Sequence, residues 1–130
     1  MNLFEATVLG IKGKDGLHTI EFDYHGERLC MMGLELPDIR IGSQVLLSVK
    51  STCVSIGRER SKSISISNQI ECTIKKVDNG EVLSLIKLDS GYDEIECVTT
   101  LSSSLSMGLK EGDSVVALIK ASELFIKEVL

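Results

Sequence analysis

The chain has 130 residues, 14 Lys and Arg against 19 Asp and Glu, and a formal charge of −5. Its 43 % apolar and 25 % charged residues are a globular balance, and no apolar run approaches the roughly 18–20 residues needed to cross a bilayer. An acidic total with two Tyr, three Phe and no Trp argues against nucleic-acid binding, which calls for a basic surface bearing stacking platforms.

In chain order, Met1-Asn2-Leu3-Phe4-Glu5 lacks the basic start and apolar core of a signal peptide. A soluble, cytoplasmic protein without direct membrane insertion is therefore expected. Short runs with two-residue alternation follow at Leu3–Lys12, Leu17–Tyr24, Arg28–Met32 and Gln44–Ile56. A second set covers Gln69–Val77, Glu81–Leu88, Tyr92–Thr99 and Ser114–Ile126. Turn signals divide them at Gly13-Lys14-Asp15-Gly16, His25-Gly26, Asp78-Asn79-Gly80 and Asp89-Ser90-Gly91. This spacing predicts an all-β chain built as small antiparallel barrels or sandwiches. The one helical candidate is Leu101–Met107, with Thr100 as its cap.

The two sets repeat each other. Gly42–Lys50 matches Gly112–Lys120 seventy residues on, and Leu3–Val8 matches Gln69–Ile74 sixty-six residues on. The four-residue discrepancy would fall in a hairpin or the turn after it. Two β modules are expected, 1–60 and 65–130, joined by the polar stretch Arg58–Ser63. All of the net negative charge sits in the second: residues 1–64 carry 8 basic and 8 acidic side chains, residues 65–130 carry 6 and 11.

Catalytic chemistry has little to stand on. His18 and His25 lie outside any motif, and no nucleophile elbow, zinc-binding helix or phosphate loop occurs. Cys30, Cys53, Cys72 and Cys97 are more than 15 residues apart among β-forming neighbours and read as reduced, buried thiols. No ligand set for a free metal cation stands out, and the chain is read as not an enzyme. Small donors are more suggestive: Ser65-Ile66-Ser67-Asn68 before the second unit's first strand, Thr100 and Ser103 at the helix start, and Lys120-Ala121-Ser122 after the last long strand. A donor-rich cluster of this kind, poor in carboxylates, suits a tetrahedral oxyanion.

Ser65-Ile66-Ser67-Asn68-Gln69 resembles the S-A-R-N-Q opening of the molybdate-binding Mop modules, the molbindin or TOBE family. Gly108-Leu109-Lys110-Glu111-Gly112-Asp113 with Val115–Ser122 resembles their closing motif, G-L-K-E-G-D running into K-[AS]-[ST]. The first unit is similar to the more divergent module in the C-terminal region of molybdate-transport ATPases, through Leu34-Glu35-Leu36-Pro37, Ile41-Gly42 and Val45–Ile56. The resemblance implies two tandem five-stranded OB-like (TOBE) barrels, each with one short helical segment. It also implies molybdate or tungstate bound between modules.

Carried over by position, the implied ligands are Ser65, Ile66, Ser67, Asn68, Thr100, Ser103, Lys120, Ala121 and Ser122, with Ile66 and Ala121 acting through backbone N–H groups. Lys50, Ser51 and Thr52 mark a possible second site. Ser67 departs from the family, which often has arginine there; Arg58, Arg60 or Lys62 in the linker could supply the missing charge. A homo-oligomer, dimer or trimer, is implied. So is either free oxyanion storage or a regulatory role beside a molybdate-transport ATPase or its subunits. Two rivals stand beside this reading: a structural dimerisation module without ligand, and an OB-like nucleic-acid-binding module.

Overall fold

Two dipeptides fold the first sheet locally. Asp15-Gly16 and His25-Gly26 both take positive φ (55° and 81°; 49° and 89°), the primed geometry that closes a tight hairpin between twisted strands. A computed structural model describes residues 1–130. These turns join β1 (Asn2–Lys14), β2 (Leu17–Tyr24) and β3 (Glu27–Gly33) into a meander. The second unit repeats it as β6 (Asn68–Asn79), β7 (Leu83–Asp89) and β8 (Glu94–Thr100).

The long first strand of each unit serves two neighbours. Asn2–Thr7 pairs with β4 (Gln44–Val49), and from Thr7 onward β1 pairs with β2 across a register shift at Val8/Gly10. The equivalent shift in β6 is at Ile74/Lys76, again sixty-six residues on. Such bulges bend a strand sharply enough to let one sheet curl toward a barrel. Each inward face then closes over alternating apolar residues, Phe4, Val8, Ile20, Phe22 and Leu47 in one unit and Ile70, Ile74, Ile86, Leu88 and Ile119 in the other. A single cluster of 24 buried residues spans both units.

The fifth strands are exchanged. The run Gln44–Ile56 breaks at a 3-10 turn, Ser51–Cys53, and continues as β5 (Val54–Gly57). That strand pairs with β9 (Ser114–Ile119) of the second unit. A second 3-10 turn, Ala121–Glu123, sends β10 (Phe125–Val129) back onto β4. The sheet orders are accordingly β10-β4-β1-β2-β3 and β5-β9-β6-β7-β8, two five-stranded sheets curled as OB-like barrels.

α1 spans Leu101–Met107, with Thr100 Oγ1 accepting the Ser103 N–H and Gly108 closing it at φ 61°. The first unit has no α-helix in the matching connection between Gly33 and Gln44, and its helical segment is the 3-10 turn. In pairing register the sixty-six-residue offset holds through the third strand, Leu29 opposite Phe22 and Ile95 opposite Leu88, and becomes seventy at the fourth, Val45 opposite Ala6 and Val115 opposite Cys72. The four extra residues therefore lie in the connection that forms α1.

Candidate functional site

The repeat gives the molecule a pseudo-twofold axis, and buried asparagines mark it. Asn2 Oδ1 accepts the Glu96 N–H and Asn2 Nδ2 donates to the Glu96 carbonyl, both at 2.8 Å. Sixty-six residues on, Asn68 does the same to Cys30, at 2.7 and 2.8 Å. Each carboxamide thus occupies the free edge of the other unit's third strand as a short stretch of β-partner would. Around the axis, the Tyr24 hydroxyl donates to Asp93 Oδ2 at 2.7 Å and pairs with Ser90 Oγ at 2.8 Å. Burial raises its phenol well above the usual range, so it stays a donor. The two 3-10 turns also touch, the Cys53 thiol donating to Glu123 Oε2 at 3.3 Å.

The opening and the ending of the second unit meet at one end of its sheet. Asn68 lies opposite Ile119, so Ser67 and Lys120 stand one step beyond the last pair of that ladder. Ser65, Ser67, Lys120 and Ser122 are exposed, Ile66 and Ala121 half-buried, and Asn68 fully buried. The segment before Asn68 is fixed by Gln69, whose Nε2 donates to the carbonyls of Ser61 and Ile66 at 2.8 and 2.7 Å. Gln69 Oε1 takes the Ser61 N–H at 2.9 Å. The lysine carbonyl closes each 3-10 turn, Lys120 accepting from Glu123 and Lys50 from Cys53, both at 2.9 Å. This leaves the Ser67 and Ser122 hydroxyls and the Lys120 ammonium available to a ligand.

Thr100 and Ser103 stand elsewhere in the chain. Their hydroxyls pair at 2.9 Å, the Thr100 proton going to Ser103 Oγ, which keeps its own proton to donate. Thr100 lies opposite Leu83, and next to it Asn79 Oδ1 accepts from Ser84 at 2.7 Å and Ser104 at 2.9 Å. Asn79 and Asn68 are the two ends of β6, on the order of 30 Å apart at about 3.3 Å per residue. The first 3-10 turn, with Lys50, Ser51 and Thr52 at its start, packs on β8, the strand that ends at Thr100. The second packs on β3, where Ser122 joins Lys12, Lys14, His18, Met32 and Gly33 around a groove of about 680 Å³.

That groove went unseen in the sequence because it depends on the exchange of β10, which carries the second turn over to the first unit. The asparagine clamp did leave a trace, Asn2 and Asn68 standing at one position of the repeat. Of the linker cations, Arg58 is tied to Asp113 at 2.9 Å and to the Met107 carbonyl, and Arg60 to Glu27 and Glu71. The Arg58 hydrogen bond holds the Asp113 carboxyl below the usual range. Lys62 makes no ion pair. Burial pushes the Cys72 thiol up to about 12 and Cys97 to about 11, so both stay protonated at neutral pH.

Residues 64–126 match the TOBE domain family. Over that stretch the chain belongs to the TOBE domain family. Its fold is similar to that of ModG, described as a cytoplasmic molybdate-binding protein and solved with molybdate bound. The TM-score is 0.87 at 25 % identity, over 96 % of this chain and 94 % of ModG. A molybdate-binding protein from Sporomusa ovata is 37 % identical over 52 % of this chain and 96 % of its own length, with a TM-score of 0.46. No curated protein matches the sequence. The two-barrel architecture is thus shared, over nearly the whole chain, with a protein solved with molybdate bound.

Proposed function

We propose that this protein binds a tetrahedral oxyanion, molybdate or tungstate, and catalyses no reaction on it. The observation that carries the reading is the meeting of Ser65-Ile66-Ser67 with Lys120-Ala121-Ser122 at one sheet end, in a fold that follows ModG over nearly its full length. Hydroxyl and backbone N–H donors surround the anion there and Lys120 offsets its charge. Asn68 holds the floor in place through Cys30. A net charge of −5 does not oppose this, because screening beyond about 8–10 Å leaves the local donors in control. Discrimination against sulfate follows from size, a smaller anion leaving some donors unpaired.

The two modules are the sequence units 1–60 and 65–130, completed by each other's last strand. Thr100 and Ser103 are too far from Lys120 to share an anion within one chain, so the full donor set comes from two chains of a homo-oligomer, dimer or trimer. Lys50, Ser51 and Thr52, packed beside β8, mark the second site. Cytoplasmic oxyanion storage and regulation of a molybdate-transport ATPase are both served by such a site. Isothermal titration with molybdate, tungstate and sulfate tests the reading. The expected result is binding that survives excess sulfate and weakens on Lys120→Ala and Ser122→Ala. Absence of heat and of thermal stabilisation at millimolar molybdate would leave a purely structural module.

A further inference from the structure

Beside Ser67 a groove of about 600 Å³ runs between the linker and the start of β3. Its ionisable lining is Glu27, Arg28, Arg60 and Lys62, a net of 3 − 1 = +2 in a chain of −5. The three cations are not equally free. Arg60 is held by Glu27 within the groove and by Glu71. Arg28 reaches only Glu21, at 3.3 Å, with a side chain 75 % exposed, a contact that water and salt weaken readily. Lys62 makes no ion pair at all.

The groove is also one-sided with respect to the repeat. The residue matching Arg28 sixty-six positions on is Glu94, at the start of β8. Where the first unit's third strand offers a guanidinium beside the Asn68 clamp, the second unit's offers a carboxylate beside the Asn2 clamp. An anion is attracted to the first place and repelled at the second.

The geometry points to Lys62 and Arg28 as the cationic wall of the anion site at Ser67, one contributed by the linker and one by β3 of the first unit. This rests on the oxyanion reading above and deepens it. Ser67 supplies a neutral donor, and charge beyond that of Lys120 comes from Lys62, three residues before the opening, and from Arg28, distant in sequence from both segments. A dianion between Lys62 and Arg28 ties the linker to β3, so binding also stiffens the junction between the units. Because both cations are exposed, affinity falls as ionic strength rises.

Isothermal titration of the full chain with sodium molybdate, at low and at physiological salt, tests this with Lys62→Ala, Arg28→Ala and Lys62→Arg. Lys76→Ala, an exposed lysine on the far stretch of β6, is the control. Each alanine variant is expected to lose about five- to tenfold in affinity and much of the salt dependence, as exposed charge-assisted donors do. Lys76→Ala is expected to bind as the parent does, and Lys62→Arg, which keeps the charge, to recover most of the affinity that Lys62→Ala loses. Parent binding that both alanine variants reproduce at both salts overturns this inference and leaves the oxyanion reading intact. A parent chain that binds no molybdate overturns both.

Discussion

The two units share a strand scaffold and differ at one end of it. In the second, Asn79 gathers the hydroxyls of Ser84 and Ser104 and so anchors α1 against the β6–β7 hairpin. In the first, the matching positions are Gly13 and His18. The imidazole lies so close to Gly13 that a Cβ there would meet its Cδ2 at 2.5 Å, and its Nδ1 is buried without a partner. No helix follows β3. One duplicated frame thus carries a hydroxyl-rich end and an imidazole-and-lysine end, and four inserted residues with one polar anchor separate them. Specificity in such a chain is set in the connections, while the strands hold the spacing.

Separating the units is the strongest way to break the comparison. Chains 1–60 and 65–130 expressed apart each lack a fifth strand and expose the edge of β4 or β9. Neither is expected to show a cooperative thermal transition by circular dichroism, and mixing them is expected to restore one. Two independently stable halves would mean that the exchanged strands are dispensable.

Next comes the asparagine clamp. Asn68→Ala removes two bonds and leaves the Cys30 N–H and carbonyl unpaired, an expected loss of roughly 2–3 kcal/mol by urea denaturation. Asn2→Ala should cost about as much if the pseudo-symmetry is energetic as well as geometric. A tenfold difference in their effects on molybdate affinity, larger for Asn68, is expected from the placement of the site.

Ser104→Ala is a smaller probe of the helical end. It removes one bond to Asn79 and should cost about 1 kcal/mol, with hydrogen exchange accelerated in α1 alone. The smallest effect concerns acid. Asp113 has its folded carboxyl lowered by Arg58, so its contribution is present above the unfolded carboxylate range and is lost as pH falls through the lowered value. Arg58→Ala is expected to lower the thermal midpoint slightly at neutral pH and to flatten its fall in acid, the two chains converging below the lowered value.

Much of this was legible in the sequence because its causes are local. Asp15-Gly16 and His25-Gly26 can hardly do anything but turn, and Thr100 caps Leu101–Met107 through a hydroxyl three residues from its partner. The duplication was visible as offsets of sixty-six and seventy, but the four residues between them, expected in a hairpin or the turn after it, lie in the α1 connection. The exchange of β5 and β10 was not legible. Val54–Gly57 continues the alternation of β4, and only the barrel it joins distinguishes them. For the same reason Asn68 read as a ligand by position, whereas its carboxamide faces Cys30, 38 residues earlier. The opening and closing segments could be paired from sequence. Their separation from Thr100 and Ser103 depends on the length of β6 and could not.

Anomalous diffraction from crystals soaked in tungstate would test the central claim most directly, since the heavy atom marks its own position. A peak between Ser65–Ser67 and the Lys120–Ser122 turn is the result expected. A peak confined to the Thr100 end, or none at all with soaked tungstate in excess, would contradict it.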